Sequence, residues 1–349
     1  MTVETEVADD PVAAIACDPQ WLAHRYDPHH DAVHYIAVNR AERRKATFLT
    51  DQFLPKDRPP LILERTAAVN AMRSAHAPLH FVFHSAFCCS TLLARAVDKE
   101  NWSTSLKEPV ILNDVVGWRR RGATPEQVRT VLDDALTLLC KSFLTGESVI
   151  IKPSNVVNGL AIEMMTLRPT SKALLIYAPL SEFLASIAKK QLDGRLFARD
   201  IFLNLLKDGL VRLGFNQDEL FRQTDLQIAA MGWLAQLDLF QAMSTRFGPD
   251  RVRTLSSDKL LTAPGKTVAA LASLFGFGGT PDAIAAVAQG ADFTTHSKDG
   301  TDFSPAAREA EYAEARLHHH DEIEKVIAWT HVVAGKASIP LDPGSPLIP

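Results

Sequence analysis

The chain has 349 residues, of which 46% are hydrophobic and 22% charged, with a formal net charge of −4. That balance supplies a sizeable core and excludes a general nucleic-acid binder, while leaving room for a local basic pocket. Four cysteines (Cys17, Cys88, Cys89, Cys140) follow neither a disulfide framework nor a zinc pattern, so a reducing cytoplasm is the expected setting.

The first residues, MTVETEVADDP, are acidic and lack the basic region and apolar core of a signal peptide, although Ala14-Ile15-Ala16-Cys17 faintly resembles a lipoprotein cleavage site. No apolar run approaches the roughly 18 residues of a membrane span, so no membrane association is expected. Residues 1–12 are expected to be disordered. Residues 13–75 read as an N-terminal cap or dimer arm. They are polar and rich in His and Arg up to Pro59-Pro60, with apolar anchors at Trp21, Leu22, Tyr35, Ile36, Phe48 and Leu49. After the two prolines, Ile62 to Ser74 has a helical pattern.

An α/β domain is expected over 76–335, followed by a tail at 336–349. Leu79, Phe81, Val82 and Phe83 form an apolar run of strand length, and Leu92, Leu93, Ala96 and Val97 recur at helical spacing. Further strands are expected at Ser103–Leu106, Ser148–Lys152, Lys172–Tyr177 and Arg251–Leu255. Helices are expected at Gln127–Phe143, Asn158–Leu167, Ser181–Lys190, Asp225–Phe247, Gly265–Phe275 and Ser304–Val333. Alternating strands and helices imply a three-layer α/β fold, a mostly parallel sheet with helices on both faces. Such sheets bind ligands at the carboxyl ends of their strands.

The loop between the first core strand and its helix, Ser85-Ala86-Phe87-Cys88-Cys89-Ser90-Thr91, is mostly small residues. A strand turning sharply into a helix presents free N–H groups and the positive end of the helix dipole, a place for phosphate or sulfate. It lacks the Gly-Lys-Ser/Thr ending of a nucleoside-triphosphate loop. Lys107-Glu108-Pro109 follows the next strand. Lys107 offers a cation and Glu108 a proton acceptor, unless the two form an ordinary solvated pair. Beyond Tyr177-Ala178-Pro179 and Ser186 lie four cations, Lys189, Lys190, Arg195 and Arg199, which suit phosphates or a solvated helix face. Gly265-Lys266-Thr267 lacks both the earlier glycine and the feeding strand of a nucleotide loop. His318-His319-His320 cannot converge on one metal from consecutive helical positions.

Taken together these motifs resemble the sulfotransferase family. The resemblance covers about Leu79 to Lys298. Ser90-Thr91-Leu92-Leu93 is similar to the end of the family's cradle for the 5′-phosphosulfate of 3′-phosphoadenosine 5′-phosphosulfate (PAPS). Tyr177-Ala178-Pro179 with Ser186 is similar to its 3′-phosphate turn. Ser257-Asp258-Lys259-Leu260-Leu261, Pro264 and Leu274-Phe275-Gly276-Phe277 match a later strand-to-helix step. His296-Ser297-Lys298 resembles its last phosphate-binding loop. The resemblance implies a divergent member of the P-loop-like sulfotransferase fold, using PAPS as co-substrate and no metal. It further implies in-line sulfuryl transfer to a hydroxyl or amine of a small-molecule acceptor, with Glu108 as base.

Two positions depart from the family: Phe87 stands where the cradle carries a cation, and Ala178 where the 3′-phosphate turn carries Arg. His84 or Lys107 is expected to replace the first, and Lys190, Arg195 or Arg199 the second. The acceptor pocket is expected from residues 18–60 and 190–225, with Trp21, Tyr35, Phe197, Phe202, Phe215 and Phe221 as lining or core. A homodimer is compatible with the N-terminal arm. Two other functions remain open from sequence: a degenerate module that binds an anion without chemistry, and a P-loop kinase.

Overall fold

In a computed structural model, residues 10–72, 76–294, 310–311, 313–314 and 317–349 are described. The core is one parallel sheet built from β4 (Leu79–His84), β5 (Ser103–Lys107), β6 (Ser148–Lys152), β7 (Ala173–Tyr177) and β8 (Val252–Ser256), in the order β5-β6-β4-β7-β8. Every residue of β4, β5 and β6 is buried, as parallel strands covered on both faces require. The chain leaves β4 in one direction to reach β5, then runs the other way through β6, β7 and β8. Right-handed crossovers therefore place helices on both faces, the three layers expected. The reversal also opens a crevice at the carboxyl end of β4.

The N-terminal segment forms a separate antiparallel sheet, β1 (Trp21–Asp27), β2 (Ala32–Ala37) and β3 (Leu61–Glu64), in that order. Two expectations need correction. Residues 10–12 are ordered: the Asp10 side chain caps the helix Pro11–Ala16 by accepting from the Val12 amide at 2.9 Å. Residues 1–9 lie outside the described residues. The helix expected from Ile62 begins only at Arg65, because Leu61–Glu64 pairs with the open edge of β2. Glu64 then accepts from the amides of Thr66 and Ala67, at 3.1 and 2.8 Å, and so starts the helix. Residues 345–347 bond to Thr254 on the edge of β8, so part of the expected tail extends the sheet. Among the described residues no helix is long and apolar enough to cross a membrane.

Two buried lysines fasten the N-terminal segment to the core. Lys107 Nζ donates to the carbonyls of Arg44 and Ala46, at 2.9 and 2.5 Å. Lys141 Nζ donates to those of Asp18 and Trp21, at 3.1 and 2.6 Å. Burial lowers both ammonium groups from an ordinary 10.5 to about 7. Between those values the unfolded chain holds more protons than the folded one, so stability rises with pH. The wild-type Tm is expected to climb from pH 7 towards pH 10 more steeply than that of a Lys107→Met/Lys141→Met double variant. Parallel slopes in differential scanning calorimetry contradict this.

Candidate active site

The loop after β4 is held in a costly conformation. Ala86, Phe87 and Cys89 have φ of 72°, 51° and 59°, three left-handed non-glycine residues within four positions. Each costs about 1–2 kcal/mol. Alternation of hand along a short loop gathers successive N–H groups into an anion-binding concavity. The helix Ser90–Ala96 follows directly, with Ser90 and Thr91 in its first turn. A cavity of about 480 Å³ lies over the loop and is lined by Ala86, Phe87, Cys88, Cys89, Ser90 and Thr91. Ser85, expected in the cradle, faces the core: its hydroxyl accepts from the Ala178 amide at 3.3 Å and the residue is fully buried.

Three amides from two other elements hold this loop. Asn155 and Asn158, on the 3₁₀ turn Asn155–Leu160, donate through Nδ2 to the His84 carbonyl at 2.8 and 3.1 Å. Gln236, inside the long helix Asp225–Phe247, donates to the Ser85 carbonyl at 3.3 Å. Its Oε1 accepts from both asparagines, at 3.2 and 3.3 Å. The carbonyls at the start of the loop are thus engaged by buried amides rather than opposing an anion. Gln236→Leu leaves two asparagine donors and a carbonyl short of partners, at about 1–3 kcal/mol. It is expected to lower Tm and weaken binding of adenosine 3′,5′-bisphosphate (PAP) roughly tenfold. Unchanged PAP affinity in calorimetry contradicts the positioning role.

The charged floor of the cavity comes from β5 and β6. Glu108, just past β5, adopts φ of 54°, and its amide donates to the Lys152 carbonyl at 2.6 Å. The Lys152 ammonium, at the end of β6, makes a short hydrogen bond to Glu108 Oε1. The Lys152 side chain is 1% exposed and that of Glu108 17%. Phe48, carried in from the N-terminal segment, lies under Lys152, with Nζ 5.2 Å from its ring centroid. The segment is anchored there by bonds from the Leu49 amide to the Lys107 carbonyl and from the Val110 amide to the Leu49 carbonyl, at 2.7 and 3.2 Å.

His84 lines the cavity as a neutral imidazole. Its Nδ1 accepts from the Ala86 amide at 3.2 Å, so the ring proton sits on Nε2 and faces the Pro153 carbonyl at 3.0 Å. Its Nε2 is 3.9 Å from Glu108 Oε1.

Lys107 lies outside the cavity, spent on the carbonyls of Arg44 and Ala46. Lys107 pairs with Lys152 across the sheet, and it is Lys152 that reaches the cavity. Phe87 packs edge-on against Phe183 and Phe197, at 5.9 and 5.5 Å, an apolar wall at the position where the resemblance implies a cation. Of the cations expected to replace the arginine absent at Ala178, only Lys190 lines the cavity. Arg195 is paired with Glu322 at 2.9 Å and Asp225 at 3.7 Å, and Arg199 with Asp225 at 2.5 Å. The Ser186 hydroxyl donates to the Glu182 carbonyl at 2.8 Å. Lys298 and the rest of His296–Lys298 lie outside the described residues.

Of the aromatic residues weighed for the acceptor, Phe197 lines the cavity. Tyr35 is fully buried in the core, Trp21 packs against that core, and Phe215 sits 6.0 Å from Trp329. Sequence reasoning passed over Lys152, whose signal is a charged residue closing a buried strand and followed by proline. It also passed over Asn155, Asn158 and Gln236, which carry no local signal. Gly265-Lys266-Thr267 falls in the first turn of the helix Pro264–Phe275 and is preceded by the helix Ser257–Thr262, so no strand feeds it.

No protein-family model matches the chain, and no curated protein matches it in sequence. Among solved structures it is similar to the sulfotransferase domain of the curacin biosynthetic pathway, with TM-score 0.41 and 12% identity over 76% of this chain and 99% of that one. It is similar also to a sulfotransferase from Alicyclobacillus acidocaldarius, with TM-score 0.36 and 16% identity over 72% and 96%. A sulfotransferase from Mycobacterium avium gives TM-score 0.41 and 13% identity over 73% and 81%.

Proposed function

We propose that this protein transfers a sulfuryl group from PAPS to a hydroxyl or amine of a small-molecule acceptor. The observation that carries it is the buried Lys152–Glu108 pair facing a strained anion cradle at the carboxyl end of β4. The cradle amides, Ser90, Thr91 and Lys152 suit the phosphosulfate end of the donor. The 3′-phosphate end fits less well: among the described residues Lys190 is the cation offered there, because Arg195 and Arg199 are held by carboxylates.

In the proposed transfer the acceptor heteroatom attacks sulfur in line. Its proton passes to Glu108, the new bond to sulfur forms, and the bridging sulfur–oxygen bond breaks to release PAP. Charge grows on the equatorial and leaving oxygens, where Lys152 and the N–H groups stabilise it. His84 holds the first turn of the loop through the Ala86 amide.

The second reading is an anion-binding module without transfer, favoured by the engaged Arg195 and Arg199. A thermal-shift panel separates the possibilities. Stabilisation by PAP, with PAP released from PAPS, supports transfer. Stabilisation by PAP without release supports the module. Stabilisation by ATP with magnesium alone points to a kinase and overturns the proposal.

A further inference from the structure

One helix, Gln191–Lys207, borders two cavities. Asp193, Phe197, Asp200 and Asn204 recur at helical spacing and line the catalytic cavity. Asn204 is committed to Arg120 through its side-chain oxygen at 2.6 Å. Asp193 and Asp200 are exposed and make no ion pair or hydrogen bond among the described residues. The adjoining flank of the helix is apolar and open: Leu192, Leu196, Leu203 and Leu206 are 67%, 52%, 46% and 42% exposed. A second groove of about 350 Å³ runs along this flank, walled by Phe202, Leu203, Leu206, Leu220, Phe221 and Ile228. Phe221 stands 89% exposed on its rim. Asp200 lines both cavities.

We infer that the acceptor is an amphipathic amine, of the long-chain amino-alcohol class. This rests on the sulfuryl-transfer function proposed above. Its ammonium sits against Asp200, the carboxylate shared by the two cavities, with Asp193 two turns away on the same wall; its hydroxyl reaches Glu108, and its alkyl chain lies in the groove beneath Phe221. The charge arrangement selects this chemistry. An anionic head is repelled by the two carboxylates on this wall, and a neutral head gains no attraction from them. A short acceptor leaves the groove bare, and exposed leucine and phenylalanine side by side are the surface that an alkyl chain covers. A second copy of the chain is the competing occupant of the groove and is resolved by the same experiment.

The test measures binding to the full chain of 2-aminohexan-1-ol, 2-aminooctan-1-ol and 2-aminodecan-1-ol, with decan-1-ol and decanoate as head-group controls. Affinity is expected to rise with chain length, up to roughly fourfold per methylene, and in the order amine, alcohol, carboxylate. Asp200→Asn is expected to erase about tenfold of the preference for the amine over decan-1-ol. Leu206→Asp is expected to flatten the chain-length dependence. Decanoate binding as tightly as the amine, or affinity independent of chain length, overturns the inference. So does a Leu206→Asp variant that changes only the sedimentation coefficient, which identifies the groove as a dimer face. PAP binding is recorded on the same samples. A PAP shift without amine preference overturns the acceptor alone, and amine preference without a PAP shift overturns the transfer function instead.

Discussion

Lys152→Met is expected to reduce release of PAP from PAPS by about a hundred- to thousandfold, the scale for losing a preorganised electrostatic donor. The side chain is 1% exposed and its ammonium is the cation bonded to Glu108 at the cavity floor. The same change leaves the Glu108 carboxylate without its counter-charge in a site only 17% exposed. Breaking a buried pair from one side costs about 3–5 kcal/mol, so Tm is expected to fall as well. The two effects separate in the Lys152→Met/Glu108→Gln double variant, where no unpaired charge remains. That variant is expected to regain most of the lost Tm and none of the activity. Recovery of activity along with Tm shows that Lys152 serves the fold rather than the transfer.

Glu108→Gln by itself is expected to lower turnover by about a hundred- to ten-thousandfold, the range for a lost general base. PAP affinity is expected to stay within about threefold, because the amide keeps an oxygen for Lys152 and no contact to the cradle is lost. The variant and the wild type therefore differ in kcat and not in donor binding. An equal fall in PAP affinity contradicts the base role and assigns Glu108 to shaping the anion site. The positive φ at this residue adds a structural check: Glu108→Gly relieves the backbone strain while removing the carboxylate. It is expected to fold and to be as inactive as Glu108→Gln.

The parallel sheet was legible because its strands are short apolar runs that only a doubly covered sheet can bury. Leu79–His84, Ser148–Lys152 and Ala173–Tyr177 are such runs, and each is a strand within a residue of its expected bounds. The long helix Asp225–Phe247 was equally plain, opened by a capping box at Thr224 and Gln227. Ile62–Glu64, expected to open a helix, belongs to a strand: its partner, β2, is remote in the chain, and a lone four-residue strand carries almost no periodicity.

The site was half legible. The small-residue loop and Glu108 stand out in the sequence, and the structure brings both to one cavity. The choice between Lys107 and Lys152 was not. Both end buried strands, they pair in register, and the side on which each ammonium emerges depends on what packs beyond the strand end. Arg44 and Ala46 offer carbonyls to Lys107, whereas Glu108 offers a carboxylate to Lys152. Arg195 and Arg199 could be counted as cations from sequence, but Glu322 and Asp225, which occupy them, come from other helices.

The sequence by itself determined the α/β class, the strand–loop–helix that forms the cradle and the carboxylate beside it, because apolar periodicity and turn chemistry act over a few neighbouring residues. Only the tertiary structure decided which lysine reaches the cavity, which arginines are already paired, how Gln236 holds the loop and where the apolar groove runs. Those outcomes depend on hydrogen bonds and ion pairs between residues 26 to 151 positions apart, and no local pattern records which partner wins.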